Sequence, residues 1–175
     1  ADVHCLKTFV GFEGDIALDS ILATTPIPTE FDLLVIDVDG DDWHIWEACT
    51  RYRAKVVMIE INPFCPPDLR FVKQKGAPGF ASASLLSICE LGRDKGYELI
   101  CVVGGNAILV EKKYFPLFEI PDNRPEAMFS SYAYTRLFQG YDGTLHFAGN
   151  HELIWRHQKD ETGETKRVQV SDEDI

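Results

Sequence analysis

The chain has 175 residues, of which 45% are hydrophobic and 26% charged, and this length and composition predict one packed core. Its 28 acidic residues outnumber 17 basic ones and give a formal net charge of -11. Nucleic acid is therefore not expected as a partner, because phosphate binding needs clustered Lys and Arg. No run of residues approaches the ~18 to 20 apolar residues of a membrane span, so we expect a soluble chain without one.

Five cysteines are spaced widely along the chain, and no two of them form a CxxC pair. This odd number favours free thiols, mostly buried, in a reducing compartment. We expect the cytoplasm by default. An organelle matrix or stroma is the alternative if the N-terminus, which begins with Ala1 rather than Met, is processed.

The first predicted elements are a short helix, a strand and a second helix. Apolar residues in 16–23 favour a helix, which the prolines of the following TTPIPTE would end. The almost continuous apolar run at 31–38 is typical of a central parallel strand buried on both faces. Asp41 or Asp42 can then cap a helix that runs to about Tyr52. Its inward residues are expected to be Trp43, Trp46, Cys49 and Ile45.

A second strand and a third helix flank a long loop. The strand is predicted at 55–61, and the loop at 63–81, where four prolines and two glycines interrupt any periodic pattern. Long structured loops are often functional. The helix after the loop is expected to be capped by Ser82 or Ser84 and to end at Gly96, where a left-handed residue is favoured.

The rest of the chain predicts a hairpin and an extension. Apolar strands at 98–103 and 107–112 flank a Gly-Gly-Asn turn. We therefore divide the chain into an α/β domain, residues 1–120, and an aromatic-rich extension, residues 121–175, with only short helices or strands. The polar stretch 159–174 is expected to fray unless a neighbouring protein holds it.

This order of elements indicates an α/β fold. Right-handed crossovers would make the first two strands parallel neighbours, and the hairpin would bring an antiparallel strand to the edge of the sheet. In such sheets ligands bind outside the carboxyl ends of the strands. The residues expected to meet at this rim are Asp37, Asp39, Gly40, Asp41, Asp42, Glu60 and Asn62.

The segments LDSIL, FDLLVIDVDGDDWHIW, VVMIEINP, SLLSICELGRDKGYELI and NAILVEK resemble, in this order, the second half of an FkbM-type methyltransferase domain. The resemblance covers about residues 15–113. It implies a partial Rossmann-like, class I methyltransferase fold, with a mainly parallel sheet that closes in an antiparallel hairpin. It also implies S-adenosylmethionine as the methyl donor and transfer to a hydroxyl of a small molecule or glycan.

The same resemblance implies that most donor contacts come from a glycine-rich turn and an acid of the first half of the fold, upstream of Ala1. Gly11 and Gly14 form only a lone GxxG, which we expect to be a loop. Asp37 and Gly40 are the candidates for donor contacts within this chain.

The candidates for catalysis are Asp39 and His44. Asp39, held in a turn by Gly40, could orient a substrate hydroxyl. His44 could act as a general base, since histidine titrates nearest to neutral pH. For His44 the alternative is a partly exposed helix residue, and for the rim acids the alternative is stabilisation of the helix N-terminus.

Two further hypotheses remain open. Glu60 and Asn62, together with Asp39 or Asp37, offer oxygen ligands of the kind that Mg²⁺ or Ca²⁺ prefers. The chain could also be a non-catalytic, methyltransferase-like accessory subunit of a larger assembly, which would bind other subunits through residues 121–175.

Overall fold

The computed structural model describes residues 3–77, 79, 81–129, 135–143 and 145–149, and of 135–138 and 145–149 it describes the backbone alone. The polar stretch expected to fray lies outside these residues. So does most of the extension through which other subunits were expected to bind. Among the described residues, no helix is long and apolar enough to cross a membrane.

The described elements alternate between helix and strand, and their positions confirm the predicted order. They are a 3-10 turn (Gly14–Ile16), α1 (Leu18–Leu22), β1 (Glu30–Ile36), α2 (Asp42–Ala48), β2 (Arg53–Glu60), α3 (Leu85–Asp94), β3 (Tyr97–Val103), β4 (Asn106–Glu111), a 3-10 helix (Lys112–Phe118), α4 (Pro125–Met128), β5 (Thr135–Gln139) and β6 (Leu145–Gly149). The fold class is therefore α/β, with an open sheet of four strands and a separate β5–β6 hairpin.

The four-stranded sheet has the order β1-β2-β4-β3. β1 and β2 are parallel neighbours, as expected, with Ile36 beside Ile59. β4 runs antiparallel to both β2 and β3, so the antiparallel strand lies inside the sheet, and the prediction that it forms the edge was wrong. The reason is burial: Ala107 and Leu109 of β4 are completely buried, and an inner position gives such a strand a partner on each side.

Among the described strands β1 lies at an edge of the sheet, where the sequence predicted a central strand. Its described partner is β2 alone. Leu33 and Val35 are 55% and 52% exposed, whereas Ile36 is buried. The apolar run specifies a strand but does not specify its neighbours.

One face of the sheet packs against α2 and α3 and forms the core. Val57, Ile59 and Ile88 are completely buried there, and the ring of Trp46 meets the edge of Tyr97 with centroids 5.7 Å apart. α3 lies close to β4 because Gly92 has no side chain: a Cβ there would lie 2.5 Å from Leu109 Cδ2.

The ends of α3 are as predicted. Ser84 precedes the helix, and its hydroxyl accepts a hydrogen bond from the Ser87 N–H. Gly96 follows it with φ +81°, a left-handed conformation that glycine adopts without steric cost. The turn between β3 and β4 likewise uses Gly104 at φ +57°.

The five cysteines are free, and three of them, Cys49, Cys65 and Cys89, are buried. Burial raises the pKa of the Cys49 and Cys89 thiols to about 12 and that of Cys65 to about 11. Because the thiolate is the reactive form, these three residues contribute packing rather than chemistry. The prediction of mostly buried free thiols is confirmed.

Candidate functional site

Three carboxylates meet at the carboxyl ends of β1 and β2. Because these strands are parallel and Ile36 lies beside Ile59, the next residues along the two strands, Asp37 and Glu60, are also neighbours. Asp39 joins them, and one oxygen from each of the three side chains lies within 4.8 Å of the others. We call Asp37, Asp39 and Glu60 the acidic rim. Asp37 and Asp39 are exposed and Glu60 is partly buried, so solvent reaches the group.

A tight turn after β1 presents the acidic rim. Asp39 has φ +58° and Gly40 has φ +133°. Aspartate is one of the few residues besides glycine that adopt the left-handed region, at some cost in energy. A Cβ at Gly40 would lie 3.1 Å from Lys73 Nζ and 3.3 Å from the Gly79 carbonyl oxygen. Gly40 is therefore required both by its conformation and by the loop that covers it.

Asp42 holds this turn together. Its side chain is completely buried and accepts hydrogen bonds from the N–H groups of Val38 and Gly40, both at 2.9 Å. Asp41 occupies the N-cap position of α2. The prediction of Asp41 at the N-cap is therefore confirmed in position, but its side chain makes no capping bond. Asp42 is the first helical residue, and from there its carboxylate reaches back to the turn rather than forward to the helix N–H groups.

The long loop before α3 packs onto the turn through Lys73, which is 10% exposed at its side chain. Its ammonium group lies 3.0 Å from Asp41 Oδ1, as an ion pair without the alignment of a hydrogen bond. It also donates to the Gly79 carbonyl at 3.1 Å. No sequence pattern indicated Lys73, because the loop has no periodicity that would separate buried from exposed residues.

His44 lies beneath the same loop rather than on the surface. It is 5% exposed, its Nε2 is 2.7 Å from the Lys73 carbonyl oxygen, and its ring lies against Phe12 and Trp43. The expectation of a partly exposed helix residue was wrong. Since a carbonyl only accepts, Nε2 carries the proton, and Nδ1 is left buried without a partner among the described residues.

Glu60 is the least exposed member of the acidic rim. Its carboxylate accepts a hydrogen bond from the Ser82 hydroxyl at 2.6 Å. Of the two serines predicted as caps of α3, Ser84 is therefore the cap, and Ser82 binds Glu60 instead. Burial raises the pKa of Glu60, the Ser82 bond opposes this, and the negative charges of Asp42, Asp37 and Asp39 raise it further. Ionising Glu60 therefore costs more in the folded chain than in the unfolded one.

This cost predicts that Glu60→Gln stabilises the fold at neutral pH. The folded pKa of Glu60 exceeds the unfolded one, so its contribution to stability is present below the unfolded value of about 4.3 and is lost as pH rises through the folded value. The amide keeps an acceptor for Ser82 and removes the charge. We expect a gain of about 0.5 to 1 kcal/mol at pH 7 and none at pH 3.

Urea denaturation at both pH values measures this difference. Glu13→Gln is the matched control, because Glu13 is exposed and lies in a different part of the chain. A gain that is equal for both variants, or that persists at pH 3, would contradict the electrostatic cause.

The third residue of the predicted metal site is engaged elsewhere. Asn62 is 4% exposed, and its Oδ1 accepts the Phe64 N–H at 3.0 Å within a turn. The structure brings Asp39 and Glu60 together with Asp37 instead. Three carboxylates have the ligand chemistry of a Mg²⁺ or Ca²⁺ site, but exposed acids cluster often without an ion, and we assign no metal here.

A groove of about 410 Å³ lies between α2, α3 and the loop. Its walls include Trp43, Phe71 and Leu91, and the bidentate ion pair of Arg70 with Glu90 lies at its margin. None of the residues predicted for donor, acceptor or metal binding lines this groove. The acidic rim is therefore the candidate site.

Comparison of the chain with known proteins found no matching family model, curated protein or solved structure. Function must therefore be argued from the residues of the rim and from the order of the strands.

Proposed function

We propose that this chain carries the second half of an FkbM-like, S-adenosylmethionine-dependent methyltransferase domain that acts on a hydroxyl of a small molecule or glycan. The observation that supports this most is the convergence of Asp37, Asp39 and Glu60 at the carboxyl ends of two adjacent parallel strands, where α/β sheets bind ligands. The closing antiparallel hairpin that the family resemblance implies is present as β3 and β4.

Asp39 is the proposed acceptor-binding residue. Its exposed carboxylate can accept the hydroxyl proton as the oxygen attacks the methyl carbon, and the fixed turn would position that oxygen. S-adenosylmethionine, when bound, would supply the methyl group, with its S–CH₃ bond breaking and S-adenosylhomocysteine leaving, and Asp37 would hold its amino group. The second proposed donor residue, Gly40, is covered by Lys73 and Gly79 and contributes the shape of the turn rather than a contact.

His44 is not the proposed base in this conformation. Its ring is buried, and the proton on Nε2 is donated to the Lys73 carbonyl. Of the two catalytic candidates, Asp39 and His44, we therefore assign the base role to Asp39. His44 instead holds the loop in place through its hydrogen bond to the Lys73 carbonyl.

Calorimetry of the full-length gene product with S-adenosylmethionine tests the proposal, together with a methyl-transfer assay. Asp39→Asn is the informative variant, because asparagine tolerates φ +58° and lacks the charge. We expect saturable heat for the unchanged protein and a loss of about 100-fold in transfer for Asp39→Asn, with the same unfolding midpoint. Asp68→Asn, at an exposed residue of the loop, is the control and is expected to leave transfer unchanged.

The second candidate is a non-catalytic accessory subunit. It is supported by one observation, the exposure of Leu33 and Val35 on β1, since exposed apolar patches mark protein interfaces. A folded protein that gives no heat with the methyl donor at high concentration would refute the enzymatic proposal and favour this one.

A further inference from the structure

The groove between α2, α3 and the loop is a cavity that the proposed function leaves unused. Its volume of about 410 Å³ lies within the range of roughly 300 to 1,000 Å³ that is usual for small-molecule sites. All of its lining residues belong to α2, α3 and the loop before α3. The groove is therefore formed within the described part of the chain, and its walls carry their own evidence about a ligand.

Helical spacing places apolar and acidic side chains on the same walls of the groove. Trp43 and Glu47 are four residues apart on α2, and Leu91 and Asp94 are three residues apart on α3, so each pair lies on one helix face. All four line the groove, and Phe71 adds a second aromatic ring from the loop. A ligand in the groove would therefore meet aromatic surface and carboxylates together.

Hydrogen bonds hold the two aromatic residues in position. The indole N–H of Trp43 donates to the Ser87 carbonyl at 3.2 Å. The N–H of Phe71 lies 3.0 Å from the Ser84 hydroxyl and 3.1 Å from the Ser87 hydroxyl, and its carbonyl accepts from the Ser84 N–H at 2.9 Å. The loop is thus fixed to the start of α3. A site whose parts are already ordered binds its ligand at a lower entropic cost.

The walls of the groove carry more negative than positive charge. Arg70 is the one cation among the lining residues, and Glu90 engages it in a bidentate ion pair. Glu47 lies 3.5 Å from Lys75 Nζ, but both side chains are exposed, and such a pair is weak. The charge of Glu47 is therefore only partly offset by its neighbour.

Asp94 is the acid of the groove with the least compensation. Within the part of the chain that the structure describes, it forms no ion pair or hydrogen bond through its side chain. It is also the last residue of α3, where the aligned peptide dipoles place partial negative charge. Arg93, the basic residue of the same turn, does not line the groove. A cation bound in the groove would relieve this unfavourable position of Asp94.

We propose that the groove binds a small organic cation, with a quaternary or tertiary ammonium group on an apolar body. The rings of Trp43 and Phe71 would attract the cation to their negative faces, and Glu47 and Asp94 would complement its charge. The same carboxylates disfavour an anion, and a neutral ligand would leave Asp94 uncompensated. This binding does not depend on methyl transfer, because no residue of the acidic rim lines the groove.

Choline is the probe, titrated into the full chain at constant ionic strength and followed by NMR of the indole N–H groups. Its control is the uncharged carbon analogue, in which a tert-butyl group replaces the trimethylammonium group. We expect a saturable shift of the Trp43 signal, none at Trp46, which is buried in the core, and affinity about tenfold lower for the analogue. The absence of a saturable shift at Trp43, or equal affinity of the analogue, would overturn the proposal.

Two substitutions at exposed residues locate the contact without disturbing the core. Phe71→Leu keeps apolar surface and removes the ring, so we expect it to weaken choline binding about fivefold and to leave binding of the analogue unchanged. Asp94→Asn is expected to weaken choline binding about threefold. Asp15→Asn is its control, since Asp15 is an exposed acid that does not line the groove.

Two outcomes would contradict the assigned roles. If Phe71→Leu weakened binding of choline and of the analogue equally, the ring would act as apolar surface only and the groove would not select a cation. If Asp94→Asn and Asp15→Asn weakened choline binding equally, the effect would come from the net charge of the chain, and the assignment to the groove would be overturned.

Discussion

Asp19→Ala is expected to lower the free energy of unfolding by about 2 to 4 kcal/mol, although Asp19 lies in the short helix α1. Its carboxylate accepts N–H bonds from Thr50 at 2.8 Å, Arg51 at 2.9 Å and Tyr52 at 3.3 Å, and the Cys49 thiol lies 3.2 Å away. These groups form the connection between α2 and β2. Alanine would leave several donors without their charged acceptor and would detach α1 from this turn.

The effect should depend on pH. Burial raises the pKa of Asp19, but the bonds from Thr50, Arg51, Cys49 and Tyr52 outweigh it and bring the pKa below its ordinary value. Because the folded pKa is below the unfolded one, the stabilisation is present above the unfolded value of about 3.9 and is lost as pH falls through the folded value. The difference between Asp19→Ala and the unchanged protein is expected to shrink below that pH.

Urea denaturation followed by circular dichroism, at pH 7 and pH 3, measures both effects. Asp15→Ala is the matched control, since Asp15 is an exposed acid in the preceding 3-10 turn, and its effect is expected to stay within about 0.5 kcal/mol. An effect of Asp19→Ala that equals the control, or that does not change with pH, would refute the role of the carboxylate.

Local patterns predicted the elements of this fold because their signals lie within a few residues. The apolar runs gave the positions of β1 and β2, and Ser84 and Gly96 marked the ends of α3. A capping hydroxyl and a left-handed glycine stabilise the helix end at which they lie, so their effect does not depend on contacts with distant parts of the chain.

The order of strands could not be predicted in full, because strand pairing depends on residues far apart in sequence. The β3–β4 hairpin can join the sheet through either strand. It joins through β4, which is buried. In the same way, the apolar composition of β1 is compatible with a central or an edge position, and its single described partner is what makes it an edge.

The candidate site was partly predictable. The rule that ligands bind at the carboxyl ends of parallel strands brought Asp37, Asp39 and Glu60 to one rim, and the structure places them there. The loop that closes over the turn was not predictable at the level of residues. The carbonyl and the ammonium group of Lys73 meet His44 and Asp41, and such contacts across irregular backbone leave no periodic trace in the sequence.

Asp42→Ala is the substitution expected to damage the candidate site most, with a loss of about 2 to 4 kcal/mol in the free energy of unfolding. It leaves the N–H groups of Val38 and Gly40 without an acceptor. It also frees Asp39, whose left-handed conformation persists only while the surrounding contacts impose it. Asp42→Asn keeps one acceptor oxygen and is expected to lose about half as much, while Asp68→Ala should be nearly neutral.

A titration of Glu60 separates this role from general destabilisation. The charge of Asp42 is one of the causes that raise the pKa of Glu60, so in Asp42→Ala and Asp42→Asn the pKa of Glu60 is expected to fall towards its ordinary value. Carbon NMR of the Glu60 carboxyl group measures this, with Asp68→Ala as the variant that leaves it unchanged. If Glu60 titrated identically in all three variants, then the charge of Asp42 would not influence the pKa of Glu60. The buried carboxylate of Asp42 would then stabilise the turn only.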